Sequence, residues 1–310
     1  MNYAHGPVPV SGAVDLVGNT PLLRFPQFEP PGVELYAKLE FFNPGGSVKD
    51  RAARQMVLHA LQTGELSDEK ILIDSTSGNT GVAYAWLGAA LGFRVQLVMP
   101  SNVSAARKQI TAAYGAEIIY SDPLEGSDGA IRHVRKLVAE NPERYFYPDQ
   151  YSNPENPNAH YLGTALEIWE QTDGRVTHFV AGLGTTGTVM GCGRRFKELN
   201  PEIKVLALEP EEPFHGLEGL KHLATSIVPG IYDPKLIDGT IFIPTDEGWD
   251  VTEQLFTKAG VSVGHSSGAA MAGALRIANE LSSRDETGIV VTLFPDRASR
   301  YFEPLLWKPR

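Results

Sequence analysis

Lys49 stands in Asn43-Pro44-Gly45-Gly46-Ser47-Val48-Lys49-Asp50-Arg51, between a strand-like run over 35–39 and a helix-like run over 52–58. Pro44 and the two glycines break the strand and allow a tight turn. Ser47 can cap the helix that follows, with Asp50 completing an approximate capping box. Lys49 then falls in the first helical turn, where the positive end of the helix dipole disfavours an ammonium. A neutral lysine amine is the group that forms a Schiff base with a carbonyl cofactor.

Three more polar turns each run into a helix. Gly184-Thr185-Thr186-Gly187-Thr188 follows the run Thr177-His178-Phe179-Val180-Ala181. Backbone amides at a helix start, flanked by hydroxyls, make a phosphate site. The same stretch holds G-x-G-x-x-G as Gly182, Gly184 and Gly187, with Glu209 ending the next strand where a dinucleotide site places its ribose-binding acid. Taken alone, the loop admits both a terminal phosphate and a dinucleotide. Ser75-Thr76-Ser77-Gly78-Asn79-Thr80-Gly81 offers hydroxyls and amides to a carboxylate, and Asn79 can bond a ring oxygen. Gly264-His265-Ser266-Ser267-Gly268-Ala269-Ala270 enters an alanine-rich helix, for which serine capping is the simple account. No zinc-like cluster of His and Cys occurs.

These turns need a repeating strand–helix frame to hold them. Strand-like runs cover 71–74, 94–99, 116–120 and 145–147, separated by helical runs over 82–92, 104–115 and 127–141. An Asn- and Pro-rich loop over 153–158 precedes a helix over 160–172. A second block alternates strands at 176–181, 204–208, 240–244 and 288–293 with helices at 188–200, 246–259 and 269–281. Strands joined by helices of this length imply parallel sheets. The expectation is an α/β protein of two sheets with a cleft between them and a boundary near Gln150.

The chain has 310 residues, enough for two medium domains, and its 42% apolar and 21% charged content suits a globular protein. A net charge of -10 argues against nucleic acid or an anionic membrane as partner. Cys192 is the single cysteine, which excludes an internal disulfide and suits a reducing compartment. No basic stretch followed by an apolar run stands near the N-terminus, and no apolar stretch reaches membrane-spanning length. A cytoplasmic location is expected.

N-P-G-G-S-V-K-D-R at 43–51, T-S-G-N-T-G at 76–81, G-T-T-G-T at 184–188 and G-H-S-S-G-A-A at 264–270 occur in one order. Supporting them are G-N-T-P-L at 18–22, Q-Y-S-N-P at 150–154 and F-P-D-R at 294–297. This set resembles the cysteine synthases, the O-acetylserine or O-phosphoserine sulfhydrylases of fold type II among pyridoxal-phosphate enzymes. The resemblance runs from about residue 13 to 307. It implies two three-layer α/β domains with mostly parallel sheets and an active-site cleft between them. Residues 41–152 would form the smaller, substrate-side domain, and 1–40 plus 153–310 the larger, phosphate-binding one.

The resemblance further implies that Lys49 holds pyridoxal 5′-phosphate as an internal aldimine and acts as general base. Asn79 would bond the cofactor's 3′-oxygen, while Gly184, Thr185, Thr186, Gly187 and Thr188 would cradle its phosphate. Ser266 would face the pyridine nitrogen, with Ser267 beside it as a competing hydroxyl. Thr76, Ser77, Gly78, Thr80 and Gln150 would bind the substrate α-carboxylate. The reaction implied is β-replacement on an activated serine by sulfide through an α-aminoacrylate. Cystathionine β-synthase, β-cyanoalanine synthase and dehydratases use the same intermediate. A homodimer, and a complex with the C-terminus of serine acetyltransferase, belong to the same implied picture. Two features depart from the family pattern. His265 stands where many members carry an aliphatic residue, and Phe214 to His222 holds charged groups where acetylserine users carry a small glycine-rich run. Lys221, shortly before Val228-Pro229, matches the cation of phosphoserine users, so O-acetylserine is the default donor and O-phosphoserine the alternative.

Overall fold

The computed structural model describes residues 10–301 apart from 77 and 104, and apart from the side chains of 106, 107, 127 and 128. A four-stranded sheet contains β3 (Ile71–Ser75), β4 (Arg94–Pro100), β5 (Glu117–Ser121) and β6 (Tyr145–Phe146), all parallel, in the order β5-β4-β3-β6. A six-stranded sheet contains β1 (Leu22–Arg24), β2 (Val33–Leu39), β7 (His178–Gly182), β8 (Lys204–Pro210), β9 (Gly239–Ile243) and β10 (Gly288–Phe294). Its order is β1-β2-β10-β7-β8-β9, and only the β1–β2 pair runs antiparallel.

Helices cover both faces of each sheet, which is why most strands are apolar throughout rather than alternating. In the larger sheet, Val180, Leu208 and Val290 pack with helices α8 (Thr245–Ala259) and α9 (His265–Ser283). Their neighbours Phe179, Ala181, Val205 and Val291 point the other way, onto α6 (Ala165–Gln171) and α7 (Gly187–Leu199). In the smaller sheet, Leu72, Val95 and Leu97 meet α1 (Lys49–Thr63) and α2 (Asn79–Leu91), whereas Ile71, Ile73 and Val98 meet α4 (Gly126–Glu140). Helix α3 (Ala105–Ala113) connects β4 to β5. The expected two-sheet, mostly parallel α/β architecture is what the chain adopts.

Two local details differ from the sequence reading. The Asn- and Pro-rich loop is already helical as α5 (Glu155–Ala159), because Pro157 lies in the first turn, where no intrahelical N–H is needed. A π-helical turn, His160–Thr164, then joins α5 to α6. Ser47 accepts from the Lys49 N–H at 3.2 Å, and the Asp50 carboxyl reaches back to the N–H groups of Gly45 and Ser47, so the capping box forms with Val48 intervening as N-cap.

A buried ionic cluster ties α1 to the larger sheet. The Arg51 guanidinium bonds Glu40 at 2.6 and 2.9 Å, Glu167 at 2.6 and 2.7 Å, and the Thr20 hydroxyl at 3.2 Å. Lys38 donates to Glu167 at 2.7 Å, to the Thr20 carbonyl and to Gln171. Asn43 bonds Glu40 and the Gly18 N–H, which explains the Gly-Asn-Thr run at 18–20. Burial alone would raise the Glu167 carboxyl, but Arg51 and Lys38 outweigh it and hold it down at about 2. A carboxyl depressed from 4.5 stabilises the fold above its unfolded pKa and loses that contribution as pH falls toward 2. Glu167→Gln is therefore expected to cost roughly 3 kcal/mol at neutral pH by leaving two cations underpaired. It should also flatten the loss of stability between about pH 4.5 and 2, both read from denaturant midpoints across pH.

Candidate active site

Lys49 is placed by the end of β10 as much as by its own helix. The Val48 N–H bonds the Pro295 carbonyl at 2.9 Å, and Ser47 forms a bridge with Asp296. Gly46 takes φ +81°, a left-handed conformation suited to glycine, and a Cβ on Gly45 would fall 2.3 Å from the Asp50 carboxyl and 2.4 Å from the Trp86 indole. The turn consequently delivers Lys49 to a cavity of about 490 Å³ between the two sheets. Burial lowers the Lys49 pKa, while the Asp296 carboxylate opposes that shift. The direction is the expected one, but its largest cause is desolvation rather than the helix dipole.

On one wall, β7 feeds α7 through the 183–186 turn. A Cβ on Gly184 would sit 2.5 Å from the Gly219 carbonyl, and one on Gly187 only 2.0 Å from Asn156 Oδ1, so both positions demand glycine. Asn156 donates to Thr185 Oγ1 at 3.0 Å and to the Gln150 carbonyl at 2.7 Å. With its oxygen thus fed, the Thr185 hydroxyl has its own proton left for the cavity. Thr188 also borders the cavity and is met from behind by His160 Nε2 at 3.3 Å. Burial drives the His160 pKa well down, helped by Arg51 and Lys49, so the ring is neutral. Thr186 behaves differently from its neighbours. It occupies φ +73°, rare for a β-branched residue, and its buried hydroxyl has no partner among the described residues. Thr185 and Thr188 both border the cavity.

The opposite wall repeats the device. Thr76 Oγ1 accepts from the N–H groups of Gly78 and Gly81, and Thr80 donates to Gln150 Oε1 at 2.9 Å. The Thr76 proton and the Gln150 NH₂ are therefore the groups left to the cavity, which Thr76, Gly78, Asn79, Thr80 and Gln150 all border. Ser77 lies outside the described residues. At the third turn Ser266 borders the cavity, while Ser267 is fully buried behind it with its hydroxyl unpartnered among the described residues. That separates the two competing serines.

The pyridoxal-phosphate dependent enzyme family model matches residues 14–295. The chain belongs to that family. It is 52% identical to a cysteine synthase of Aquifex aeolicus, over 95% of this chain and 91% of the relative. It is 41% identical to cysteine synthase B of Salmonella typhimurium, over 92% of each. A solved structure of cysteine synthase from Entamoeba histolytica superposes with a TM-score of 0.92 at 36% identity, covering 99% of this chain and 94% of that one.

The cofactor of a pyridoxal-phosphate dependent enzyme needs a lysine amine, an anion cradle and room for a ring, and this cavity supplies all three. The glycines at 184 and 187 leave no space for side chains beside the α7 amides, and Thr185 and Thr188 border the cavity there. The dinucleotide alternative fails on Glu209, whose carboxylate is buried and accepts from the Leu223 N–H at 2.7 Å instead of facing the cavity. It anchors the 214–225 segment.

Several cavity residues carried no role in the sequence reading. Asp296, Tyr301 and Tyr151 border the cavity, and Asn156 and His160 brace the phosphate turn from outside. Asp296 sat within the F-P-D-R match, but nothing adjacent in sequence signals its place opposite Lys49. Lys221 borders the cavity with its ammonium 5.0 Å from the centre of the Tyr151 ring, and Glu218 lies on the same wall. Gly187→Ala is expected to displace Asn156, and Thr188→Ala to delete one charge-assisted bond worth roughly 1.5–3 kcal/mol. Both should release pyridoxal phosphate on dialysis at least tenfold more readily than wild type, followed by visible absorbance.

Proposed function

We propose that this protein is a cysteine synthase, replacing the β-substituent of O-acetylserine with sulfide to give L-cysteine. One observation carries the reading: a lysine amine of lowered basicity stands between two walls whose polar groups face the cavity as donors. Such a cavity takes a molecule anionic at both ends. The 184–188 turn receives the cofactor phosphate, and Thr76, Ser77, Gly78, Thr80 and Gln150 receive the substrate α-carboxylate.

Bound there, pyridoxal phosphate supplies an electron sink for the bond electrons of the substrate α-carbon. Lys49 would hold the cofactor and, as a free amine, would take the α-proton; burial lowers its basicity. Holding the two anionic ends at opposite walls aims that proton at Lys49, which is catalysis by position. Asn79, which borders the cavity, would hold the cofactor's ring oxygen. Ser266 offers the ring nitrogen a hydroxyl where a carboxylate would stabilise a protonated ring, favouring prompt expulsion of a β-leaving group over transamination.

The reading divides the chain into a substrate-side unit, 41–152, and a phosphate-binding unit, 1–40 plus 153–310, supported by which strands belong to which sheet. Among the described residues no helix is long and apolar enough to cross a membrane, and we place the protein in the cytoplasm as a homodimer. A cavity that takes a carboxylate also suits the C-terminus of serine acetyltransferase.

Lys221 bears on the donor. A cation about 4 Å from a phosphate is worth about 4 kcal/mol per charge pair at an effective dielectric of ~20. Glu218 and Asp296 border the same cavity and oppose a dianion, which keeps O-acetylserine first. Lys221→Ala is expected to lower kcat/KM for O-phosphoserine and leave O-acetylserine turnover nearly unchanged. Equal losses on both would remove Lys221 from donor choice. The reading as a whole rests on Lys49: Lys49→Ala should be without covalently held cofactor and without cysteine formation, and a variant that keeps full activity would overturn it.

A further inference from the structure

Asp296 follows β10 and borders the cavity with Lys49, where its charge has been weighed but its hydrogen bonds have not been given a task. It is 1% exposed. Its Oδ2 accepts from Asn79 Nδ2 at 2.6 Å and from the Tyr301 hydroxyl at 2.5 Å. Its Oδ1 lies against the Gly264 backbone with no partner among the described residues.

A side-chain amide has two ends of nearly equal shape, one donating and one accepting, and its partner decides which way it points. A carboxylate oxygen accepts only. Bound to Asp296, Asn79 must turn its nitrogen toward β10, and one N–H is left over on an amide that borders the cavity beside Lys49. We propose that Asp296 is the positioning residue for Asn79, fixing that amide so that its second N–H is presented to the cofactor's ring oxygen. The inference rests on the pyridoxal-phosphate reading of the cavity and adds a residue to it.

The surroundings hold Asp296 in this task. The Tyr301 ring that bonds it has the His265 ring on one side, with centroids 6.4 Å apart, and His265 has Trp249 beyond it at 5.2 Å. His265 thus serves as a flat spacer between Trp249 of α8 and Tyr301, a use an aliphatic side chain would fill less well. Burial works against an ionised Asp296, while donation from Tyr301 and Asn79 and the charges of Arg300 and Lys49 favour it. These groups, with His265 from α9, are the titratable and charged neighbours that face it.

The test uses the holoenzyme in five forms: wild type, Asp296→Ala, Asp296→Asn, Asn79→Ala and the Asp296→Ala/Asn79→Ala double variant. Steady-state turnover of O-acetylserine and the visible spectrum of the bound cofactor are measured on each. Asp296→Ala and Asn79→Ala are each expected to lose about tenfold or more in kcat/KM, the size of one directed hydrogen bond. The double variant should lose no more than the worse single one, because both changes remove the same contact. Asp296→Asn keeps an acceptor oxygen without the charge, so it should recover most of the loss, and its spectrum should stay near wild type. Asp296→Ala should shift the spectrum in the same direction as Asn79→Ala. Additive losses, or an Asp296→Asn as impaired as Asp296→Ala, would overturn the inference. Asp296→Ser, which truncates less, gives the same comparison should Ala disturb folding. Failure of the underlying function would show in the wild type, and failure of the inference only in the variants.

Discussion

Arg51 is buried between Glu40 and Glu167, two residues beyond the lysine on which the chemistry turns. Its guanidinium can satisfy both carboxylates only if α1 enters from one direction and at one depth. Glu40 belongs to the segment after β2, and Glu167 to α6, so the helix start is fixed by elements of the larger sheet although its body packs in the smaller half. Paired in this way, the cluster costs little, whereas removing one member would leave an uncompensated buried charge. Lys49 inherits its position from that arrangement and from the bridge between Ser47 and Asp296.

From this fixed point the electrostatics of the cavity follow. Both walls use one device: a hydroxyl or amide oxygen is supplied with a donor from behind, leaving protons for the cavity. Asn156 does this for Thr185, two glycine amides for Thr76, and Thr80 for Gln150. The result is a cleft that favours anions at two ends while keeping the central amine poorly solvated. A fully hydrated lysine of ordinary basicity would be a poor partner for a carbonyl and a poor base. Burial supplies what the chemistry needs, and the neighbouring carboxylate moderates it.

The strand–helix alternation and the three glycine-bearing turns were legible because they depend on local rules. A left-handed turn at Gly46 or a close approach at Gly184 restricts which residue can stand there, and the restriction shows in the sequence. Position across the fold leaves no such trace. Asn79 and Asp296 are 217 positions apart, and a lone aspartate after an apolar strand has no pattern that reveals its partner. His160 was hidden for a related reason, since its partner Thr188 stands 28 positions away on another helix. Thr186 sits in the same turn with a left-handed backbone, a conformation its β-branched side chain gives no reason to expect. Glu209 matched a dinucleotide spacing by position alone, and its carboxylate proved to be spent on a loop amide.

Lys49 would have to hold a carbonyl cofactor on which O-acetylserine loses acetate from its β-carbon and then gains sulfide at that carbon. Rapid mixing of the purified, cofactor-loaded protein with O-acetylserine in the absence of sulfide, followed by diode-array spectroscopy, tests this directly. The account predicts a fast shift of the visible band with stoichiometric release of acetate, and return of the original spectrum when sulfide is added, with one equivalent of L-cysteine formed. A spectrum that does not respond to O-acetylserine, or a shift that sulfide does not reverse, would contradict it.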